Sequence, residues 1–158
     1  MYSVLFLCTG NSARSILAEA LLNRWGQGKF QAFSAGSHPK GAVHPLAIDI
    51  LKWHGIPTEA LRSKSWDEFA RPDAPQIDAI ITVCDNAAAE VCPVWPGHPV
   101  TAHWGMKDPA AVVGDDAPRA FLSTFQALDL RMMQLVNLPI GELDSNQLKQ
   151  QLDQIGRT

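Results

Sequence analysis

Apolar residues follow two rhythms along this chain. From Tyr2 to Leu7 they run almost without a break, as in a strand covered on both faces. Leu17, Ala20, Leu21 and Trp25 then recur at helical spacing until Gly26 and Gly28 interrupt them. Phe30 to Phe33 predicts a second short strand, closed by Ser34-Ala35-Gly36-Ser37. Pro45 starts a helix whose face carries Leu46, Ile50 and Trp53 or His54, and Gly55-Ile56-Pro57 stops it. The most continuous β-like run is Ile77 with Ala79 to Val83, and it ends in Cys84. A short helix is expected through Ala87-Ala88-Ala89-Glu90, and four prolines from Pro93 to Pro109 then bend the path around a strand at Val100 to His103. From about Pro118 a long helix is expected, because Phe121, Phe125, Leu128, Met132 and Leu135 share one face. Past Pro139-Ile140-Gly141, Leu148, Leu152 and Ile155 predict a peripheral amphipathic helix with no chemistry of its own.

Strands alternating with helices predict an α/β domain with a small parallel sheet, whose ligands collect at the carboxyl ends of the strands. Cys8 and Cys84 both fall there. Residues 1–138 read as the catalytic domain and 139–158 as a C-terminal helical extension. Trp25 and Trp53, on helix faces, are expected in the core, while Trp95 and Trp104 either wall the site or anchor the proline-rich loops. His38, His44 and His54 have no thiol near them in sequence and are given no role.

With 158 residues, 46% of them hydrophobic, the chain can build one ordinary core. A formal net charge of -3 and no lysine-arginine cluster give no footprint for nucleic acid, so any anion must be held by local geometry. No apolar run approaches the ~20 residues of a membrane helix and the N-terminus has no signal-like pattern, which reads as cytoplasmic. Three cysteines argue for reactive or metal-binding thiols in a reducing compartment rather than a disulfide scaffold.

Those thiols lead back to the first strand. Cys8-Thr9-Gly10-Asn11-Ser12-Ala13-Arg14-Ser15 sets a nucleophile where a buried strand turns into a helix. The small polar loop can converge its N–H groups on a tetrahedral anion at the positive end of that helix, so Thr9, Gly10, Asn11, Ser12, Ala13 and Ser15 are the candidate oxyanion binders. Arg14 adds a planar charged fork. The same groups are expected to lower the pKa of Cys8 well below that of a free cysteine. The bland alternative, a cysteine that merely ends a hydrophobic strand, does not account for the order of strand, cysteine, turn, arginine and helix.

The motif from Cys8 to Ser15, the segment Ser34 to Ser37, and His103-Trp104-Gly105-x-x-Asp108-Pro109 together resemble the arsenate reductases built on the low-molecular-weight protein tyrosine phosphatase fold, over about Tyr2 to Leu138. The resemblance implies a four-stranded parallel sheet with helices on both faces. It implies Cys8 as nucleophile, Arg14 as oxyanion clamp and Asp108 as general acid, the last agreeing with the need to protonate an oxygen that leaves arsenic. It also implies that Cys84 resolves the Cys8 arseno-adduct as a disulfide and that Cys92 then takes over that disulfide.

The substrate implied is arsenate, with phosphate or sulfate as competing anions. No cofactor is bound tightly, and the external reductant is thioredoxin or a glutathione and glutaredoxin pair. The interval from Cys84 to Cys92 is longer than in the thioredoxin-coupled members, which leaves the reductant open, and Ala13 stands where many relatives have a cysteine. Asn11, Glu19 and Ser34 match positions that hold a monovalent cation in some relatives; the alternative is that they only brace the loop.

Two other readings compete. A low-molecular-weight tyrosine phosphatase uses the same three groups, but carries aromatic residues after Asp-Pro where this chain has Ala110-Ala111-Val112-Val113. A metal-binding module from Cys84, Cys92, His98 and His103 has enough ligands but no paired knuckle spacing, and it leaves Cys8 unexplained.

Overall fold

A computed structural model describes residues 1–84 and 97–158 of the chain. Strand β1 (Tyr2–Cys8) lies inside the sheet because its apolar run has no polar face to turn to water: Val4 to Leu7 are at most 1% exposed. It is flanked by β2 (Phe30–Gly36) and β3 (Ala79–Thr82), with β4 (Val100–His103) beyond β3, in the order β2-β1-β3-β4. All pairings are parallel. The register sets Cys8 opposite Gly36, Leu7 opposite Thr82 and Thr82 opposite His103. Val83 N–H continues the ladder to the Leu7 carbonyl at 2.9 Å, and Trp104 N–H does so to the Thr82 carbonyl at 2.7 Å. The carboxyl ends of three neighbouring strands therefore deliver Cys8, Cys84 and the segment leading to Asp108 to one edge.

The described helices are α1 (Arg14–Trp25), α2 (Pro45–Trp53), α3 (Asp67–Ala70), α4 (Ala117–Val136) and α5 (Ser145–Gly156). Alternate residues of β1 serve two cores. Val4 and Phe6 join Leu17, Leu21, Leu51, Phe121, Leu128 and Leu152 from α1, α2, α4 and α5 on one face. Leu5 and Leu7 join Ala35, Ile80 and Phe69 of α3 on the other. This is the four-stranded parallel sheet with helices on both faces that the resemblance implies. Each large side chain so buried contributes about 1.5–3 kcal/mol.

Helix α1 is buried through eight consecutive residues, Ser15 to Leu22, because it lies between the sheet and α4. Its polar Ser15 and Glu19 must therefore find partners inside the protein. Helix α5 starts at a capping box of Asp144 and Gln147 and buries Leu148, Leu152 and Ile155. The indole N–H of Trp104 donates to the Leu152 carbonyl at 2.8 Å, and Arg131 of α4 donates to the carbonyls of Trp104 and Gly156 at 3.4 and 3.1 Å. Gly156 approaches so closely that a Cβ there would lie 2.6 Å from the Trp104 ring. Trp104 is thus an anchor, fully buried, from which the stretch to Asp108 departs.

Some sequence expectations give way. Trp25 is 48% and Trp53 86% exposed, not core. Trp25 ends α1 and turns its N–H to Asp129 Oδ1 at 2.6 Å. In α2 the fully buried positions are Ala47 and Leu51, one residue on from the expected Leu46 and Ile50, which are partly buried. Trp53, two residues past Leu51, therefore points away from the core. Strand β2 runs past Phe33 to Gly36, because Ser34 and Ala35 are completely buried against β1. The helix expected at residues 87–90, Cys92 and Trp95 lie outside the described residues. No helix among the described residues is long and apolar enough to cross a membrane.

Candidate active site

The loop from Cys8 to Arg14 turns its carbonyls outward. His38 N–H donates to the Thr9 carbonyl, Lys40 N–H to that of Gly10 and His44 N–H to that of Ser12, each at 2.9 Å. With those oxygens engaged by the 37–44 segment, the loop's inner side is left to N–H groups. At its end α1 begins with Ala13 as N-cap and no side-chain cap, so the first-turn donors are open to an anion. Gly36 allows this wrapping, since a Cβ there would lie 2.5 Å from the Thr9 carbonyl.

Asn11 holds the loop from behind. It is completely buried and adopts φ 44°, a left-handed conformation that asparagine tolerates better than most residues. Its amide donates to Ser15 Oγ at 2.8 Å and Ser34 Oγ at 3.0 Å, and accepts from Lys64 N–H at 2.9 Å. Ser34 Oγ in turn donates to Glu19 Oε1 at 2.7 Å. The side chains of Asn11 and Ser15 therefore face the scaffold.

Lys64 closes this network. It is 8% exposed, and its ammonium is 3.6 Å from Glu19 Oε1 and 3.0 Å from the Arg62 carbonyl. Burial pushes the Glu19 carboxyl up and the Lys64 ammonium down, and the attraction between the two opposes both shifts. Lys64 thus brings a positive charge to Glu19 at the positions, Asn11, Glu19 and Ser34, matched to a monovalent-cation site.

In front of the loop lies a cavity of about 230 Å³ lined by Cys8, Thr9, Gly10, Ser12, Ala13, Arg14, Lys40 and Asp108. Arg14 Nη1 donates to the Met106 carbonyl at 2.9 Å and Nη2 lies 3.6 Å from Asp108 Oδ2. Its Nε is buried and has no hydrogen-bond partner among the described residues, and Arg14 lines the cavity. Asp108 is fixed by its other oxygen, Oδ1, which accepts from Ala110 N–H at 3.0 Å, and its side chain stays 37% exposed. A larger cavity of about 670 Å³ near Tyr2 and Ile140 has no cysteine among its lining residues.

Cys84 lies beside Cys8, which lines the cavity. Both thiols are buried and unoxidised, and Cys84 is the strongest influence on the Cys8 thiol. Thr9 N–H donates to Cys84 Sγ at 3.4 Å, and the Thr9 hydroxyl lies 3.6 Å from the same sulfur. The expectation of a lowered Cys8 pKa is overturned in this state. The hydrogen bond with Cys84 and then burial push the Cys8 thiol up, outweighing Arg14 and the Gly10 N–H, which pull it down. Two thiols this close titrate as a pair rather than as independent groups.

The structure thus brings together Cys8, Arg14, Asp108 and Cys84, while Cys92 lies outside the described residues. Sequence reading missed Lys40 and Lys64, each carried in from a loop far along the chain. Among the described residues no group of three or more His, Cys, Asp or Glu is placed to hold a metal ion.

The family model for low molecular weight phosphotyrosine protein phosphatases matches residues 3–153. An arsenate reductase from Halalkalibacterium halodurans is 36% identical over 113 residues, 72% of this chain and 78% of that protein. Among solved structures, an arsenate reductase in the phosphate binding state superposes with a TM-score of 0.71 at 26% identity, covering 86% of this chain and 97% of that one. A thioredoxin-dependent arsenate reductase from Corynebacterium glutamicum superposes with a TM-score of 0.63 at 25% identity, covering 85% of this chain and 60% of that one. The chain belongs to the low molecular weight phosphotyrosine protein phosphatase family, with arsenate reductases among its relatives.

Proposed function

We propose that this protein reduces arsenate to arsenite through a covalent adduct on Cys8. The observation that carries the reading is a second thiol, Cys84, set beside Cys8 with its sulfur accepting from Thr9 N–H at 3.4 Å, next to a cavity that Cys8 lines together with Arg14 and Asp108. A phosphatase needs one nucleophilic sulfur there; a two-electron reduction needs two.

Arsenate binds against the loop N–H groups of Gly10, Ser12 and Ala13 and the guanidinium of Arg14, with Thr9 N–H shared between the anion and Cys84. The Cys8 sulfur attacks arsenic, an arsenic–oxygen bond breaks, and Asp108 protonates the departing oxygen, which leaves as water. No electrons have moved to arsenic at this point. The Cys84 thiolate then attacks the Cys8 sulfur: a sulfur–sulfur bond forms, the sulfur–arsenic pair stays with arsenic, and As(V) becomes As(III). Arsenite leaves. Attack of Cys92 on Cys84 frees Cys8, and an external dithiol, thioredoxin or the glutathione and glutaredoxin pair, reduces the resulting disulfide.

Arsenite production with thioredoxin and its reductase in one tube and glutathione with glutaredoxin in another tests the reading. Turnover in either tube supports it and names the reductant. Silence in both, with efficient hydrolysis of p-nitrophenyl phosphate, overturns it in favour of a phosphatase.

Asp108→Asn is expected to lower kcat for arsenate by about 10²–10⁴-fold, the usual range for losing a general acid. Binding of phosphate is expected to hold or tighten, because a negative charge is removed from the cavity. Steady-state kinetics and calorimetric titration with phosphate check the two halves separately.

Lys64 supplies the charge that some relatives take from a monovalent cation, so exchanging potassium for choline is expected to leave activity unchanged. Lys64→Met leaves the buried Glu19 carboxylate without its charge partner, with the Ser34 hydroxyl still donating to it, and is expected to cost about 3 kcal/mol in denaturant unfolding. A wild-type protein activated by potassium would refute this role.

A further inference from the structure

We propose that Lys40 is the charge-selecting residue of the cavity: it recruits the dianionic form of a tetrahedral oxyanion and delivers it to Arg14 and the loop N–H groups. The inference rests on the reading of this cavity as an oxyanion site and adds a residue to it. Lys40 comes from the 37–44 segment, where its N–H is fastened to the Gly10 carbonyl at 2.9 Å. Its aliphatic stem lies along Gly10, with Cε, Cδ and Cγ 3.1 to 3.4 Å from where a Cβ of that residue would be. The missing side chain at Gly10 is what lets the stem rest there, and the side chain reaches the cavity wall while remaining exposed.

The charges around the cavity give this lysine its role. Arg14 is already paired with Asp108 at 3.6 Å, so that pair offers an approaching anion little net attraction. Among the described residues Lys40 has no salt-bridge partner, which makes it an uncompensated cation at the mouth. The chain as a whole carries a formal charge of -3, which repels a dianion at long range. A local cation at the entrance reverses the sign where it matters, and its pull on a dianion is twice that on a monoanion. Because an exposed ammonium is screened by salt, its contribution must shrink as ionic strength rises.

Two readouts on the intact protein test this. Methionine keeps the stem's length and packing without the charge. In Lys40→Met, protection of Cys8 from iodoacetamide by inorganic phosphate is expected to need about five-fold more phosphate at low ionic strength, and less than about two-fold more near 0.5 M salt. The rate ratio of iodoacetate to iodoacetamide at Cys8, followed by peptide mass, is expected to fall in Lys40→Met, fall further in Lys40→Glu and recover in Lys40→Arg. In arsenate turnover, KM is expected to rise with kcat unchanged. Unaltered phosphate protection and alkylation ratio in Lys40→Met at low salt overturn the role of Lys40 alone. Absence of any phosphate protection in the wild-type protein overturns the oxyanion cavity itself, a separate result.

Discussion

Cys8→Ser is expected to abolish arsenate reduction, lowering turnover by on the order of 10⁴-fold or more, as when a covalent nucleophile is removed. The reason is chemical. A serine hydroxyl is much harder to deprotonate than a thiol, and an oxygen at this position cannot later form the disulfide that moves two electrons to arsenic. The cavity itself should survive, because Cys8 is 4% exposed and serine is smaller by little more than the difference between sulfur and oxygen. Phosphate is therefore expected to bind the variant, since the loop N–H groups and Arg14 are untouched. Calorimetry with phosphate and an arsenite assay on the same preparation separate the two effects. Turnover in the variant above the blank reaction would refute a covalent mechanism, and loss of phosphate binding together with activity would mean that the substitution had collapsed the loop.

How much of this site is legible in the sequence follows from which contacts are local. The Cys8 to Arg14 loop is contiguous, and its flanking strand and helix have strong periodicities, so strand, turn and helix can be read off directly. Cys84 is legible at one remove. Both cysteines end apolar runs, and parallel strands bring such ends to one edge, as the Leu7 and Thr82 pairing does here. Lys40 and Lys64 carry no such signal. Each lies in a loop whose return to residues 10–12 is set by hydrogen bonds across the fold, Lys40 N–H to the Gly10 carbonyl and Lys64 N–H to the Asn11 side-chain oxygen.

The raised pKa of Cys8 was hidden for the same reason. The local groups, Arg14 and the Gly10 N–H, do pull it down, but the dominant neighbour is a thiol on a different strand. Trp53 shows the converse limit: helical spacing identifies a face, and a two-turn helix such as α2 buries only the part of it over Ala47 and Leu51.

Cys84→Ala is expected to split the reaction in two and to make Cys8 more reactive at the same time. Without a second sulfur the arseno-adduct on Cys8 cannot release arsenite by disulfide formation, so steady-state turnover with either reductant should be lost. Adduct formation should remain, detectable as an arsenic-bearing Cys8 peptide by mass spectrometry. The second effect comes from the thiol pair. The hydrogen bond with Cys84 is the largest influence pushing the Cys8 thiol up, and its removal leaves burial opposed by Arg14 and the Gly10 N–H.

The Cys8 pKa is therefore expected to fall in the variant. A raised pKa favours the neutral thiol, and thiolate appears only as pH climbs toward it. The alkylation profile of Cys8 should accordingly move to lower pH, with iodoacetamide reacting faster near neutrality than in the wild-type protein. Unchanged arsenite turnover in Cys84→Ala would transfer the resolving step to an external thiol. An alkylation profile that did not move would mean that the two sulfurs are not in contact in solution, and the observation on which the reductase reading rests would be gone.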